Sequence, residues 1–182
     1  MTSDRTALIV IDLQQGSFGP EARRHDADGL VARVNALGTR VRATGGAVIF
    51  VQHDGPPGDP HHPEAPGWAL LPGLQVASDD TVVRKTACDS FLNTSLESCL
   101  EQRGIRRLII TGCATDYCVD TTVRSALARS YRTVVPSDGH TTADRPHLPA
   151  TAIIAHHNAI WADFIAPAGP ALVCACKDVE TG

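Results

Sequence analysis

Lysine is nearly missing from this chain: of 16 basic residues, 14 are arginine and only Lys85 and Lys177 are lysine. Aromatic residues are also few, at 4%, so core packing competes with a binding role for each of them. Long apolar runs are missing. Stretches such as Ala7–Ile11 and Leu108–Ile110 fall far below the about 20 residues that span a bilayer as a helix. This excludes a membrane helix. Met1–Arg5 leads into the first apolar stretch without the h-region of a signal peptide, and a cytoplasmic protein is expected. Neither sign of charge dominates. A net charge of −4 lacks the basic footprint of a nucleic-acid binder. No Cys-x-x-Cys pair occurs, which excludes a zinc ribbon and a thioredoxin motif. No repeat or linker divides the sequence.

What remains is an ordinary globular composition, 43% hydrophobic and 20% charged over 182 residues. Such a chain is expected to form one domain, residues 1–182, with a core large enough to need no staples. The six cysteines are Cys88, Cys99, Cys113, Cys118, Cys174 and Cys176. They are expected to be reduced, most of them as small buried hydrophobes and one or two as reactive thiols.

Short apolar runs alternate with helical patterns. Strands are predicted at Ala7–Ile11, Ala47–Val51, Thr81–Lys85, Arg107–Thr111, Thr133–Pro136 and Ala171–Ala175. Helices are predicted over Asp28–Thr44, Thr94–Arg103, Val119–Arg129 and Pro149–Phe164. Gln52 to Pro72, rich in Pro, Gly and His, reads as a long functional loop. Buried strands separated by helices of ten to fifteen residues indicate parallel βαβ units. The expected fold is a doubly wound, three-layer α/β/α domain with a mainly parallel sheet of about six strands. Ligands in such folds bind beyond the carboxyl ends of the strands, where strand order reverses.

Three polar groups fall at such ends. Asp12 follows five apolar residues, Lys85 closes the third strand, and Cys118 follows the glycine turn Thr111-Gly112-Cys113. Each has a plainer alternative: a capping carboxylate, a snorkelling ammonium and a packed thiol. Together they can converge at one sheet edge. Asp12 can then take the thiol proton, Lys85 can favour both anions, and N–H groups of the helix start can lower the thiol pKa and hold an oxyanion.

The segments ALIVIDLQ (Ala7–Gln14), VIFVQH (Val48–His53), VVRKTACDS (Val82–Ser90), IITGCATDYCVDTT (Ile109–Thr122) and SDGHTTADRPHL (Ser137–Leu148) resemble the isochorismatase-like cysteine hydrolases. That superfamily includes nicotinamidases, N-carbamoylsarcosine amidase and streptothricin hydrolase. The resemblance implies a triad of Asp12, Lys85 and Cys118. It also implies a cis peptide between Cys113 and Ala114, with the N–H groups of Ala114 and Cys118 at the oxyanion. The family's ether-cleaving isochorismatases lack the nucleophilic cysteine. The expected reaction is therefore hydrolysis of an amide, lactam or carbamoyl C–N bond of a small molecule through a thioester, with a streptothricin-type lactam ranked first.

A nicotinamidase-like amidase is the first alternative. A non-catalytic binding protein, or a redox sensor in which Cys113 resolves Cys118, is the second. Similar nicotinamidases carry a metal behind an Asp-x-His pair. Here that place reads Gln52-His53-Asp54, with His61-His62 later, so no metal and no cofactor are expected. Phe18, His53, Trp68, Tyr117 and His140 are candidate pocket residues. Asp144-Arg145 reads as a local ion pair, and His156-His157-Asn158 as a structural or interface element. The resemblance further implies a homodimer or homotetramer acting on a small molecule; the charge and the short apolar runs leave no nucleic-acid or membrane partner expected.

Overall fold

The computed structural model describes residues 5–19 and 23–182. β1 (Arg5–Ile11) is buried from Thr6 onward. Ala7, Ile9 and Ile11 enter one apolar cluster, and Leu8 and Val10 enter the other. A strand that buries both faces has no solvent side on which to place polar residues, hence the unbroken apolar run. β2 (Ala47–His53), β3 (Thr81–Lys85), β4 (Ile105–Cys113), β5 (Arg132–Pro136), β6 (His140–Thr141) and β7 (Leu172–Cys174) complete the sheet. Its order is β3-β2-β1-β4-β5-β7, with β6 beside β4. All of these pairings are parallel.

α1 (Ala27–Ala43) covers one face with Leu30, Val34, Leu37 and Val41. α2 (Leu96–Gln102), α3 (Asp120–Ala128) and α4 (Ala150–Ala162) cover the other with Leu96, Leu100, Val123, Leu127 and Trp161. This is the expected three-layer architecture. No helix among the described residues is long and apolar enough to cross a membrane.

Three local features differ from the sequence reading. β6 is a seventh strand, and its two residues are too few to carry a period. α2 starts at Leu96 rather than Thr94, because the Thr94 hydroxyl accepts the Leu96 N–H at 3.1 Å. Before α3 the chain makes a π turn, Thr115–Val119, where an ordinary helix start was expected.

Strand order reverses between β1 and β4, and this reversal makes the binding crevice. Ile11 pairs with Gly112 there. A Cβ on Gly112 would lie 2.1 Å from the Ile11 carbonyl oxygen, at φ +128°. Only glycine lets β4 come this close to the residue before Asp12. The long loop after β2 is stitched to the same edge. The Gln14 side chain donates to the carbonyls of His53 (3.0 Å) and Trp68 (2.9 Å) and accepts the His53 N–H (2.8 Å).

Candidate active site

Asp12, Lys85 and Cys118 meet at this edge, although their strands are not all neighbours. Lys85 leaves β3, two strands from β1, and its long stem reaches across. Its Nζ lies 2.7 Å from Asp12 Oδ2, 3.3 Å from Cys118 Sγ and 3.0 Å from the Ala87 carbonyl. The three ammonium protons thus have three partners. The Lys85 side chain is 0% exposed and that of Asp12 7%, so this is a buried ion pair. Burial pulls the lysine pKa down. Asp12 and Cys118 outweigh that and hold it above the ordinary value.

Asp12 sits at φ +48°, a left-handed conformation that aspartate tolerates better than most side chains. Its N–H donates to the Val51 carbonyl at 2.9 Å. Its second carboxylate oxygen, Oδ1, is buried and has no hydrogen-bond partner among the described residues. An anionic oxygen left bare in this way is costly unless something arrives to use it.

Cys118 lies within the π turn, two residues before the start of α3. Burial, and then the Asp12 carboxylate, push its thiol pKa up in spite of Lys85. The helix start was expected to lower it; burial and the neighbouring carboxylate instead set the direction upward. The preceding Cys113–Ala114 peptide is cis. Cys113 is buried, and burial pushes its thiol up to about 12. All six cysteines are free.

Cys118 and Asp12 open onto a cavity of about 330 Å³, the size for a small molecule. His53 and Tyr117 line it, as do Ser17, Arg24, His61, Cys88 and Arg145, which the sequence reading did not select. None of these five closes a strand or directly follows one, so the rule that found Asp12 and Lys85 could not find them. His53 is buried enough, and near enough to Lys85, that its pKa falls below the usual histidine value. Its Nδ1 is the other buried side-chain atom without a partner among the described residues. Arg145 pairs with Asp116 at 2.8 Å rather than with Asp144, and its guanidinium covers the Tyr117 ring at 5.0 Å. Asp144 instead accepts the Ala150 N–H and starts α4.

The other three pocket candidates lie elsewhere. Phe18 packs against the α1-side core. Trp68 donates to Asp54 at 2.8 Å and lies under Arg84. His140 is 3% exposed, bonded to Thr115 (2.9 Å) and Asn158 (3.0 Å) and packed edge-on against Trp161. It ties the π turn to α4 as a positioning residue, which also explains Asn158. Among the described residues, no group of three or more His, Cys, Asp or Glu is placed to hold a metal.

His140 carries a stability prediction. Burial pulls its pKa down from 6.5 to about 4. Between those values the unfolded chain binds the extra proton and the folded one does not, so stability falls as pH drops. The expected loss from this group between pH 7 and pH 5 is about 2 kcal/mol. Urea unfolding at both pH values should show a smaller fall for His140→Gln than for the parent. An equal fall would remove His140 from the account.

The Isochorismatase domain model matches residues 6–162. The chain belongs to the isochorismatase family. It is 37% identical over 143 residues to a streptothricin hydrolase of Streptomyces noursei, covering 79% of this chain and 57% of that protein. It spans little more than half the length of the two streptothricin hydrolases it matches. The isochorismatase family protein YddQ of Bacillus subtilis, itself uncharacterized, is 33% identical, over 75% of this chain and 78% of its own. A crystal structure of an isochorismatase from Pseudomonas putida superposes with TM-score 0.86 at 29% identity, covering 97% of this chain and 90% of that one.

Proposed function

We propose that this isochorismatase-family protein is a cysteine hydrolase that cleaves an amide-type C–N bond of a small molecule. The observation that carries the reading is the unpartnered Asp12 Oδ1 beside a thiol that shares Lys85 with the same carboxylate. Moving the proton from Cys118 to Asp12 shifts the negative charge from one neighbour of Lys85 to the other. The ammonium is within reach of both, so the transfer needs little reorganisation.

The thiolate attacks the carbonyl carbon, and backbone N–H groups of Ala114 and Cys118 receive the oxyanion. The C–N bond breaks as Asp12 returns the proton to the leaving nitrogen. Water then gives a proton to Asp12 and its hydroxide to the thioester carbon. The C–S bond breaks, the acid departs, and the proton on Asp12 restores the thiol. No step uses a metal or other cofactor.

Two substrate classes have support. The 37% identity to a streptothricin hydrolase favours a streptothricin-type lactam. Arg24 favours a compound bearing a carboxylate. It lines the cavity and has no acidic partner among the described residues, whereas Arg145 is neutralised by Asp116. The ureidoacrylate amidohydrolase of Pseudomonas syringae, 32% identical over 174 residues, is a relative whose name fits that second class.

The test is incubation with a streptothricin, ureidoacrylate, an N-carbamoyl amino acid and nicotinamide. Ammonia or amine release and the gain of one water are followed by mass spectrometry. Turnover of one compound, with an acyl adduct trapped on Cys118, is expected. An acyl adduct on another residue would refute the mechanism. Failure to turn over any of the four would refute the substrate reading.

A further inference from the structure

A second hydrogen-bonded chain faces the same cavity. Asp59 Oδ1 lies 3.0 Å from His61 Nδ1, and His61 Nε2 lies 2.9 Å from Ser17 Oγ. Asp59 also accepts the His61 backbone N–H at 2.7 Å. The three residues come from two loops that are packed closely. A Cβ on Gly67 would lie 3.0 Å from the Gly16 Cα and 2.5 Å from the Pro60 carbonyl oxygen. Gln15 donates to the Ala69 carbonyl across the same seam at 2.9 Å. Ser17 and His61 are thus held in register by backbone as well as by their own bond.

The arrangement has the order of a Ser-His-Asp triad, but Ser17 lacks what a nucleophile needs. Its own N–H is spent on the Gln14 carbonyl (3.0 Å), and the Phe18 N–H is spent on Gln15 (3.1 Å). Neither of these two backbone donors is free to receive an oxyanion. The chain has a different consequence. The Asp59 carboxylate only accepts, so His61 presents Nδ1–H to it. With the imidazole neutral, Nε2 is then an acceptor and the Ser17 hydroxyl must donate to it. Oγ then keeps its acceptor capacity, and Ser17 lines the cavity. Arg24, whose Nε donates to the Ser17 carbonyl at 2.8 Å, and Arg145 line the cavity too and can only donate.

We propose that Ser17, oriented by His61 and Asp59, accepts a hydrogen bond from the N–H of the substrate's amide and so selects amide-type over ester-type substrates. The inference rests on the cysteine-hydrolase reading above. Ser17 touches the substrate, and His61 and Asp59 are positioning residues.

Two alkylating probes separate the inference from the reading it rests on. Iodoacetamide carries N–H donors and methyl iodoacetate has none. With either probe, the Cys118 sulfur displaces iodide at the methylene carbon, and the thiol proton passes to Asp12. Rates at each cysteine are read by peptide mass spectrometry. In the parent protein, the ratio of iodoacetamide to methyl iodoacetate rates should be higher at Cys118 than at Cys99. Ser17→Ala should lower that ratio at Cys118 about fivefold, the worth of one hydrogen bond of about 1 kcal/mol. His61→Ala, which keeps the hydroxyl but frees its direction, should lower it less.

A merely structural role for Ser17 would slow both probes together and leave the ratio unchanged, which would overturn the inference. Covalent capture of Ser17 by a fluorophosphonate would overturn it too, by making Ser17 a nucleophile. If Cys118 in the parent reacts no faster than Cys99 with either probe, the cysteine-hydrolase reading fails and the inference falls with it.

Discussion

Cys118→Ala should lower hydrolysis about 10³-fold or more, and Asp12→Asn should lower it nearly as far. The two groups act on one proton. Without the sulfur there is no thioester, and without the carboxylate the buried thiol has nowhere to send its proton. Burial and Asp12 hold the Cys118 thiol pKa above its ordinary value, so spontaneous ionisation cannot replace the transfer. Residues that act as a unit lose activity non-additively. The double variant should therefore be little worse than either single one. The measurement is kcat/KM for the three variants on one substrate, with thermal unfolding as a control for folding. A double variant that falls by the product of the single losses would mean that the two residues act in separate steps.

Lys85→Met should be the most destabilising single change at the site, by about 3–5 kcal/mol. Methionine fills the space of the stem but removes the partner of a carboxylate that is only 7% exposed. The Asp12 charge would then stay buried and uncompensated. At this chain length the loss corresponds to a fall in Tm of about 10 °C or more. Lys85→Arg keeps the charge and should fold with a smaller loss, yet lose most activity. A planar guanidinium cannot reach Asp12, Cys118 and the Ala87 carbonyl with the geometry of one tetrahedral ammonium. Differential scanning calorimetry and the activity assay together check both halves. Near-normal turnover of Lys85→Arg would show that three-way donation is not needed.

The rarity of lysine drew attention to Lys85 before any strand had been placed, and the structure gives that residue three separate hydrogen-bond partners. Lys177 lies in a short turn near the C-terminus, where its carbonyl, not its ammonium, is used by Arg40. The same composition signal thus picked out two residues, and burial divided them. The apolar runs located β1, β2, β4 and β5 well, because a strand buried on both faces must be apolar throughout; β3, an edge strand with Val82 and Arg84 exposed, has no such run. β6 escaped because two residues carry no period.

The cavity wall was only partly legible. His53 was named through the Gln52-His53-Asp54 place of the family's metal site, and the structure makes it the last residue of β2. Ser17, His61 and Arg145 sit on loops whose mutual position depends on Gly16 packing against Gly67 and on the Asp116–Arg145 pair. Trp68 and His140 were plausible wall residues by position. Their polar atoms found partners elsewhere, in Asp54 for one and in Thr115 and Asn158 for the other. A sequence shows that a buried N–H must be satisfied but not by what.

By itself, the sequence determined the parallel α/β fold and the ends of strands at which a carboxylate, an ammonium and a thiol would stand. The alternation of buried strands and helices is a local property that apolar patterning carries, whereas strand order came from the structure. Only the tertiary structure decided that Lys85 spans two strands to reach Asp12, that one Asp12 oxygen has no partner among the described residues, and that the Cys118 thiol is made harder to ionise. Each of these depends on how much water is excluded and which charge lies within a few ångströms. Both are set by residues far apart in the chain, and no local pattern encodes them.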